Sequence, residues 1–179
     1  ASSPVLADNT ITTVGMGSEG VYMYNAPGAL LNSNVVNAQN RGAVKIEYSA
    51  DVTVTNNDLT AGRAGQIALW IENWGIVSSN LLVSGNTIVG EGSSGMSLGY
   101  ITGAVISDNT VEARNDQFNF GQIGIGVHGI GADFTISGNT IVAEGNHGIQ
   151  LAGQYSGYQL VNNDITVPAG YQEVRDVTY

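Results

Sequence analysis

Hydrophobic and polar positions along this chain follow a pattern that recurs seven times. Each copy reads apolar-x-apolar-x-x-Asn-x-apolar, and the positions three before and two after the Asn are always aliphatic. Because alternate positions of a strand lie on the same face, each copy predicts short β-strands with one buried side. The aliphatic pairs are Leu6 and Ile11, Leu31 and Val36, Val54 and Leu59, Val83 and Ile88, Ile106 and Val111, Ile136 and Ile141, and Leu160 and Ile165.

A second motif, small-apolar-x-apolar, lies between successive Asn positions and predicts a further strand in each repeat. Its apolar pairs are Val21 and Met23, Val44 and Ile46, Ile67 and Leu69, Met96 and Leu98, Ile125 and Val127, and Ile149 and Leu151. The usual steps are 13 residues from this motif to the Asn and 10 onward, which gives a coil of 23. Two coils are six residues longer, which predicts insertions at about Glu72–Ser79 and Glu112–Gly121.

A repeat of this length is typical of solenoid proteins. A hexapeptide left-handed helix would need a six-residue rhythm, which the chain lacks. We therefore predict an all-β, single-stranded right-handed parallel β-helix of about seven coils over residues 1–167, with 168–179 as a C-terminal extension, a cap or the start of a further element. A leucine-rich repeat would need an apolar residue eight positions before each Asn, where the chain has mostly unsuitable residues: Ala26, Ser49, Ser78, Ile101, Gly131 and Tyr155.

The recurring Asn is interpreted as a structural ladder. Asn tolerates the left-handed backbone of a tight turn, and stacked side-chain amides can hydrogen-bond along a column. These residues are therefore not expected to be catalytic. The predicted ladder consists of Asn9, Asn34, Asn57, Asn86, Asn109, Asn139 and Asn163.

Several repeats resemble those of the pectate-lyase-like superfamily of right-handed β-helices. The segments that carry the resemblance are Ser-Gly-Asn-Thr-Ile at 84–88 and 137–141 and Ser-Asp-Asn-Thr-Val at 107–111. The superfamily includes pectate lyases, polygalacturonases, alginate epimerases, phage tailspikes and adhesin-like proteins. The resemblance implies a location outside the cell, at a cell surface or on a virion. The chain lacks the Asp-Pro-His-Glu motif, the Asn-Thr-Asp and Gly-His-Gly pair, and a nonapeptide calcium array, which disfavours an enzyme.

The composition of the chain limits the classes of partner that it can bind. Lys and Arg total 5 against 15 Asp and Glu, for a formal net charge of -10, which disfavours nucleic acid as a partner. No apolar run approaches the length of about 20 residues that a membrane helix needs, so no membrane insertion is expected. No cofactor is expected, although calcium is compatible with the acidity.

The chain starts at Ala1 rather than Met, which indicates that it is processed from a precursor or cut from a longer chain. The alternative to a longer chain is that copies of this chain associate with one another, end to end or as a homotrimer.

Two outward rows of the second-motif sheet suggest a polysaccharide-binding groove. One row is predicted to contain Tyr22, Lys45, Ala68, Ser97, Gly126 and Gln150, and the other Tyr24, Glu47, Trp70, Gly99, His128 and Ala152. The two insertions would flank this sheet, the second through Arg114, Asp116, Phe118 and Phe120. The predicted carbohydrate-binding residues are Tyr22, Tyr24, Lys45, Glu47, Trp70, Glu72, Trp74 and His128.

Catalysis is a weaker expectation. A glycoside hydrolase needs two carboxylates, and Glu47 and Glu72 are the candidates, although Lys45 would lower the pKa of Glu47. A polysaccharide lyase needs a base, for which Lys45 or Arg63 is available. The two histidines, His128 and His147, are predicted to be isolated and solvent-facing, and no serine is predicted to have His and Asp partners. The alternative function is a structural shaft of an adhesin, tailspike or self-assembling filament.

Overall fold

The computed structural model describes residues 3–15, 17–62, 66–92, 94–114 and 122–177. All described regular structure is β, and every strand pairing in these ranges is parallel. Each coil of the chain therefore adds its strands to the same three parallel sheets, which we call sheets A, B and C. Residues one coil apart therefore lie side by side. The described ranges contain no helix long and apolar enough to cross a membrane.

Sheets A and B each take one strand from every repeat of the Asn motif. Sheet A holds the strand before the Asn: β1 (Val5–Ala7), β4 (Leu30–Asn32), β7 (Thr53–Thr55), β11 (Leu82–Ser84), β15 (Val105–Ser107), β18 (Thr135–Ser137) and β21 (Gln159–Val161). Sheet B holds the strand after it: β2 (Thr10–Thr13), β5 (Val35–Ala38), β8 (Asp58–Ala61), β12 (Thr87–Glu91), β16 (Thr110–Arg114), β19 (Thr140–Ala143) and β22 (Asp164–Thr166).

Sheet C is formed by the second motif and carries the candidate site. Its main strands are β3 (Val21–Tyr24), β6 (Val44–Glu47), β9 (Leu69–Glu72), β13 (Met96–Gly99), β17 (Ile125–Ala132), β20 (Ile149–Ser156) and β23 (Val174–Asp176). Two short strands, β10 (Ser78–Ser79) and β14 (Ile101–Thr102), extend this sheet. They pair with each other, and β14 pairs with the C-terminal end of β17. The segment after residue 167 thus contributes one strand, β23, which pairs with β20.

The core runs along the axis of the solenoid. The aliphatic pairs of the Asn motif are buried in the middle repeats and partly buried in the first and last, as expected for a core open at each described end. Removing this apolar surface from water is the main stabilising contribution. The predicted all-β parallel β-helix is confirmed.

The Asn ladder is confirmed as a continuous column. In each successive pair, the backbone N–H and the side-chain Nδ2 of one Asn both donate to Oδ1 of the next, at 2.9–3.1 Å. From Asn34 onward each Nδ2 also donates to a backbone carbonyl of the preceding coil. The interior amides are buried, so these bonds satisfy groups that water does not reach.

The prediction that the ladder Asn itself adopts the left-handed conformation is wrong. The positive φ belongs to the residue before it, namely Asp8, Ser33, Asn56, Gly85, Asp108, Gly138 and Asn162. Those residues make the turn, which leaves the ladder side chain free to point inward. Asp, Asn and Gly are the residue types that accept this backbone at the lowest cost, which accounts for six of the seven.

The predicted register of the third sheet C strand is also wrong. Val44 pairs with Leu69 rather than Ile67, so the strand starts two residues later than predicted. The step from Asn57 to this strand is 12 residues where the step from Asn34 to Val44 is 10. Ala68 is consequently buried instead of facing outward. The extra residues of this coil therefore lie partly before β9 and partly in the turn after it.

Candidate functional site

The corrected register changes which side chains are neighbours on the outer face of sheet C. One row now runs through Tyr22, Lys45, Trp70, Ser97, Gly126 and Gln150. The second runs through Tyr24, Glu47, Glu72, Gly99, His128 and Ala152. Trp70 therefore lies beside Lys45, and Glu72 beside Glu47, in contrast to the predicted rows. We call this surface the sheet C face.

Lys45 lies at the centre of an aromatic group. Its Nζ lies 4.2 Å from the centroid of the Trp70 ring and 5.8 Å from that of Tyr22. The ring faces attract the ammonium by a cation–π interaction. Nζ also lies 3.1 Å from Oε1 of Glu47. Together these contacts fix the position of the Lys45 side chain on the sheet.

Glu47 gathers three donors. The Tyr22 hydroxyl donates to its Oε2 at 2.6 Å, and the indole N–H of Trp74 donates to its Oε1 at 3.4 Å. Burial by itself raises the pKa of Glu47, but the hydrogen bonds from Tyr22, Lys45 and Trp74 outweigh it, so the pKa is lowered. The same carboxylate raises the pKa of Tyr22 to about 12, chiefly through their hydrogen bond.

Glu72 and His128 form a pair that bridges an intervening strand. They lie on β9 and β17, with Gly99 of β13 between them, and Nε2 of His128 contacts Oε2 of Glu72. A Cβ at Gly99 would overlap both Glu72 oxygens and the His128 nitrogen, so glycine is required there for the pair to meet. The prediction of an isolated His128 is wrong.

The Glu72 carboxylate is buried yet ionised. Burial by itself raises its pKa. The hydrogen bond and charge of His128 and the backbone N–H of Trp74 lower the pKa by more than burial raises it, so the net pKa is lowered. Its Oε1 accepts from the N–H groups of Asn73 and Trp74, each at 3.2 Å. Because a glycosidase acid needs a raised pKa, Glu47 and Glu72 with lowered pKa values do not suit that role.

The insertion after β9 places an aromatic ring above the sheet C face. Trp74 has a φ of 30° and is 55% exposed. The remaining exposed rings of the predicted set are Tyr22 and Tyr24, and Tyr24 makes an edge contact with Tyr48 at 5.3 Å. Arg63 and most of the second predicted insertion, including Asp116, Phe118 and Phe120, lie outside the described residues.

The sequence reasoning missed Ser97 as a partner of His128 and Gly99 as the residue that lets His128 reach Glu72. The correct register of β9 would have placed Glu72 and His128 in one row. His147, predicted to face solvent, is buried, and its Nδ1 accepts the Gln172 backbone N–H at 3.0 Å. Within the described ranges no group of three or more His, Asp or Glu side chains could hold a metal ion.

Comparison with known proteins decides the family. The family described as right handed beta helix region matches residues 1–165, nearly the whole solenoid. The chain belongs to the right-handed β-helix family. The fold of this β-helix supports a structural or polysaccharide-related module in general. No curated protein and no solved structure matches the chain significantly.

We expect this β-helix to lose stability in acid, because Glu47 and Glu72 are stabilised as carboxylates in the folded state. The folded pKa values of Glu47 and Glu72 lie below the ordinary value of 4.5. Their contribution is therefore fully present above pH 4.5 and is lost as the pH falls through the folded values. Urea unfolding between pH 7 and pH 3 measures it. Glu72→Gln is expected to flatten the pH dependence, and an unchanged slope would contradict the assignment.

Proposed function

We propose that this β-helix is an extracellular module that binds a polysaccharide along the sheet C face. The observation that carries the proposal is the Lys45, Trp70, Glu47 and Trp74 network, which combines the exposed ring of Trp74 and the half-buried ring of Trp70 with fixed polar groups. Binding sites commonly join aromatic surfaces, which supply contact area, to a few positioned polar groups, which set orientation.

The dimensions of the sheet C face suit an extended ligand. The predicted residues lie on five successive strands, from β3 with Tyr22 to β17 with His128. With about 4.8 Å between neighbouring strands, these residues extend over about 19 Å. A chain lying along the solenoid axis would cross the Tyr22, Lys45 and Trp70 row one strand at a time.

The charges favour a neutral polysaccharide. Glu47 and Glu72 are ionised, and the single ammonium of Lys45 is already paired with Glu47. The formal net charge of -10 adds a long-range repulsion toward anions. A polymer rich in hydroxyl groups can donate hydrogen bonds to the Glu47 oxygens without bringing a negative charge near them.

Removing either tryptophan is expected to weaken binding. A panel of neutral polysaccharides and polygalacturonate would be titrated against the protein, with binding followed by calorimetry. Because central aromatic residues carry much of the binding energy at interfaces, Trp70→Ala and Trp74→Ala should each raise Kd about tenfold. Tyr171→Ala is the matched control, because this exposed ring precedes β23, four strands away from Trp70.

The titration also separates the proposal from the structural alternative. The uninterrupted Asn column and continuous core favour a shaft of an adhesin, tailspike or filament as the second candidate. Binding of a neutral polysaccharide that is lost in both tryptophan variants supports the proposal. No binding to any member of the panel, or equal binding by all variants, would overturn it in favour of the shaft.

A further inference from the structure

Three side chains on successive strands of sheet C make the two contacts that nucleophilic catalysis requires, one between a serine and a histidine and one between that histidine and a carboxylate. Glu72 lies on β9, Ser97 on β13 and His128 on β17. Nε2 of His128 contacts the Glu72 carboxylate, while its Nδ1 lies 3.5 Å from Oγ of Ser97. A nucleophile, a base and a group that orients the base are therefore aligned in one small region.

The protonation pattern follows from the carboxylate. An ionised carboxylate only accepts hydrogen bonds, so in the imidazole form that can act as a base, Nε2 of His128 carries the proton that faces Glu72. Nδ1 is then left with its lone pair directed toward Ser97. This is the tautomer that can remove the hydroxyl proton. Catalytic hydrogen bonds are often long before a substrate is bound and shorten in the complex.

Glu72 is held rigidly enough to orient the imidazole. Its side chain is 1% exposed, and the N–H groups of Asn73 and Trp74 both donate to Oε1. His128 in contrast is 38% exposed at its side chain and can meet a ligand. Glycine at position 99 leaves the space in which the two groups meet.

A small cavity opens beside the serine and the histidine. Its volume is about 120 Å³, and its lining includes Ser97, His128, Ile123, Gly126 and Gln150. Sites for drug-sized ligands measure roughly 300–1,000 Å³, so this cavity suits a group of only a few atoms. Its lining is mainly apolar, and Gln150 is the lining residue whose side-chain amide carries N–H donors.

We propose that Ser97, His128 and Glu72 form a hydrolytic triad that removes short acyl groups, with acetyl as the model, from esters. Oγ of Ser97 attacks the ester carbonyl carbon while its proton passes to Nδ1 of His128. The bond to the alcohol oxygen breaks, and His128 returns that proton to the departing alcohol. Water then attacks the acyl-serine through the same base, which releases the carboxylic acid and restores Ser97. The Gln150 amide stabilises the negative oxygen of each tetrahedral intermediate.

The alcohol would be a hydroxyl of the polysaccharide on the sheet C face, and this part of the inference rests on the proposed function. The row that carries Trp70 continues directly into Ser97 on the next strand. A chain bound over Trp70 would therefore present its ester groups to the cavity. The triad itself requires only the ester.

The experiment measures release of nitrophenol from 4-nitrophenyl acetate by the full chain. Ser97→Ala and His128→Gln should each lower kcat by about a thousandfold or more, because nucleophile and base act as a unit. Ser107→Ala is the matched control on sheet A and should retain full activity. A fluorophosphonate probe should add one label at Ser97, located by peptide mass spectrometry.

The outcomes separate the triad from the proposed function. Wild-type rates equal to those of Ser97→Ala, or no label at Ser97, would overturn the triad even if a polysaccharide binds. Turnover that is lost in Ser97→Ala supports the triad even if no polysaccharide binds, and the alcohol assignment then fails. Release of acetate from an acetylated neutral polysaccharide by the wild-type chain supports both.

Discussion

Replacing Asn86 with alanine is expected to lower the free energy of unfolding by about 3–4 kcal/mol. Oδ1 of Asn86 accepts from the backbone and side chain of Asn57, and its Nδ2 donates to Asn109 and to two carbonyls. The side chain is buried in the middle of the solenoid. Alanine would leave several buried donors and acceptors without partners, and each such group is costly.

Asn9→Ala is the control for this prediction. Asn9 lies on the first described coil, is exposed, and donates to Asn34 and Ala7. Water can replace these partners, so the expected loss is less than about 1 kcal/mol. Urea unfolding followed by circular dichroism measures both variants. Equal losses at the two positions would show that burial of the column does not set its contribution.

Phe134→Ala is expected to cost about 3–5 kcal/mol. Phe134 is fully buried and stacks on Tyr158 while it contacts the edge of Tyr155, both with centroids 5.5 Å apart. Removing the ring takes away its burial and two aromatic contacts, and the stacked backbone of neighbouring coils cannot collapse fully into the space.

Phe134→Leu and Ile130→Ala calibrate that loss. Leucine fills most of the volume of the ring, so Phe134→Leu should lower the free energy of unfolding by about 1–2 kcal/mol. Ile130 is half exposed, so Ile130→Ala should lower it only slightly. Thermal unfolding of the three variants under one set of conditions gives the comparison. A loss for Phe134→Ala no larger than that for Ile130→Ala would contradict the packing described at this coil.

The sequence predicted the coil because its period and its buried face are local properties. Aliphatic residues at fixed distances from the Asn can face only the core, and the structure places them there. The register of β9 could not be predicted in the same way. Both Ile67 and Leu69 satisfy the apolar pattern, and only the pairing of Leu69 with Val44 in the preceding coil distinguishes them.

The candidate site was predicted as a set of residues rather than as contacts. Glu72 and His128 are separated by 56 positions and meet across a third strand. An error of two residues in one register was enough to move Glu72 out of the row that contains His128. The left-handed turns were misplaced by one position for a related reason, since Asn is common at both the turn and the ladder.

The Asn column also has a direction. Every link between two of its side chains runs from Nδ2 of one Asn to Oδ1 of the Asn in the coil with the higher residue numbers, so the small dipoles of the side chains add along the axis as peptide dipoles do in a helix. One terminus of the column presents the carbonyl oxygen of Asn9, and the other presents the N–H groups of Asn163. Any further coil, from this chain or another, can extend the column only with the same polarity. Head-to-head contact between two copies would bring two donor ends or two acceptor ends of the column together, which is unfavourable.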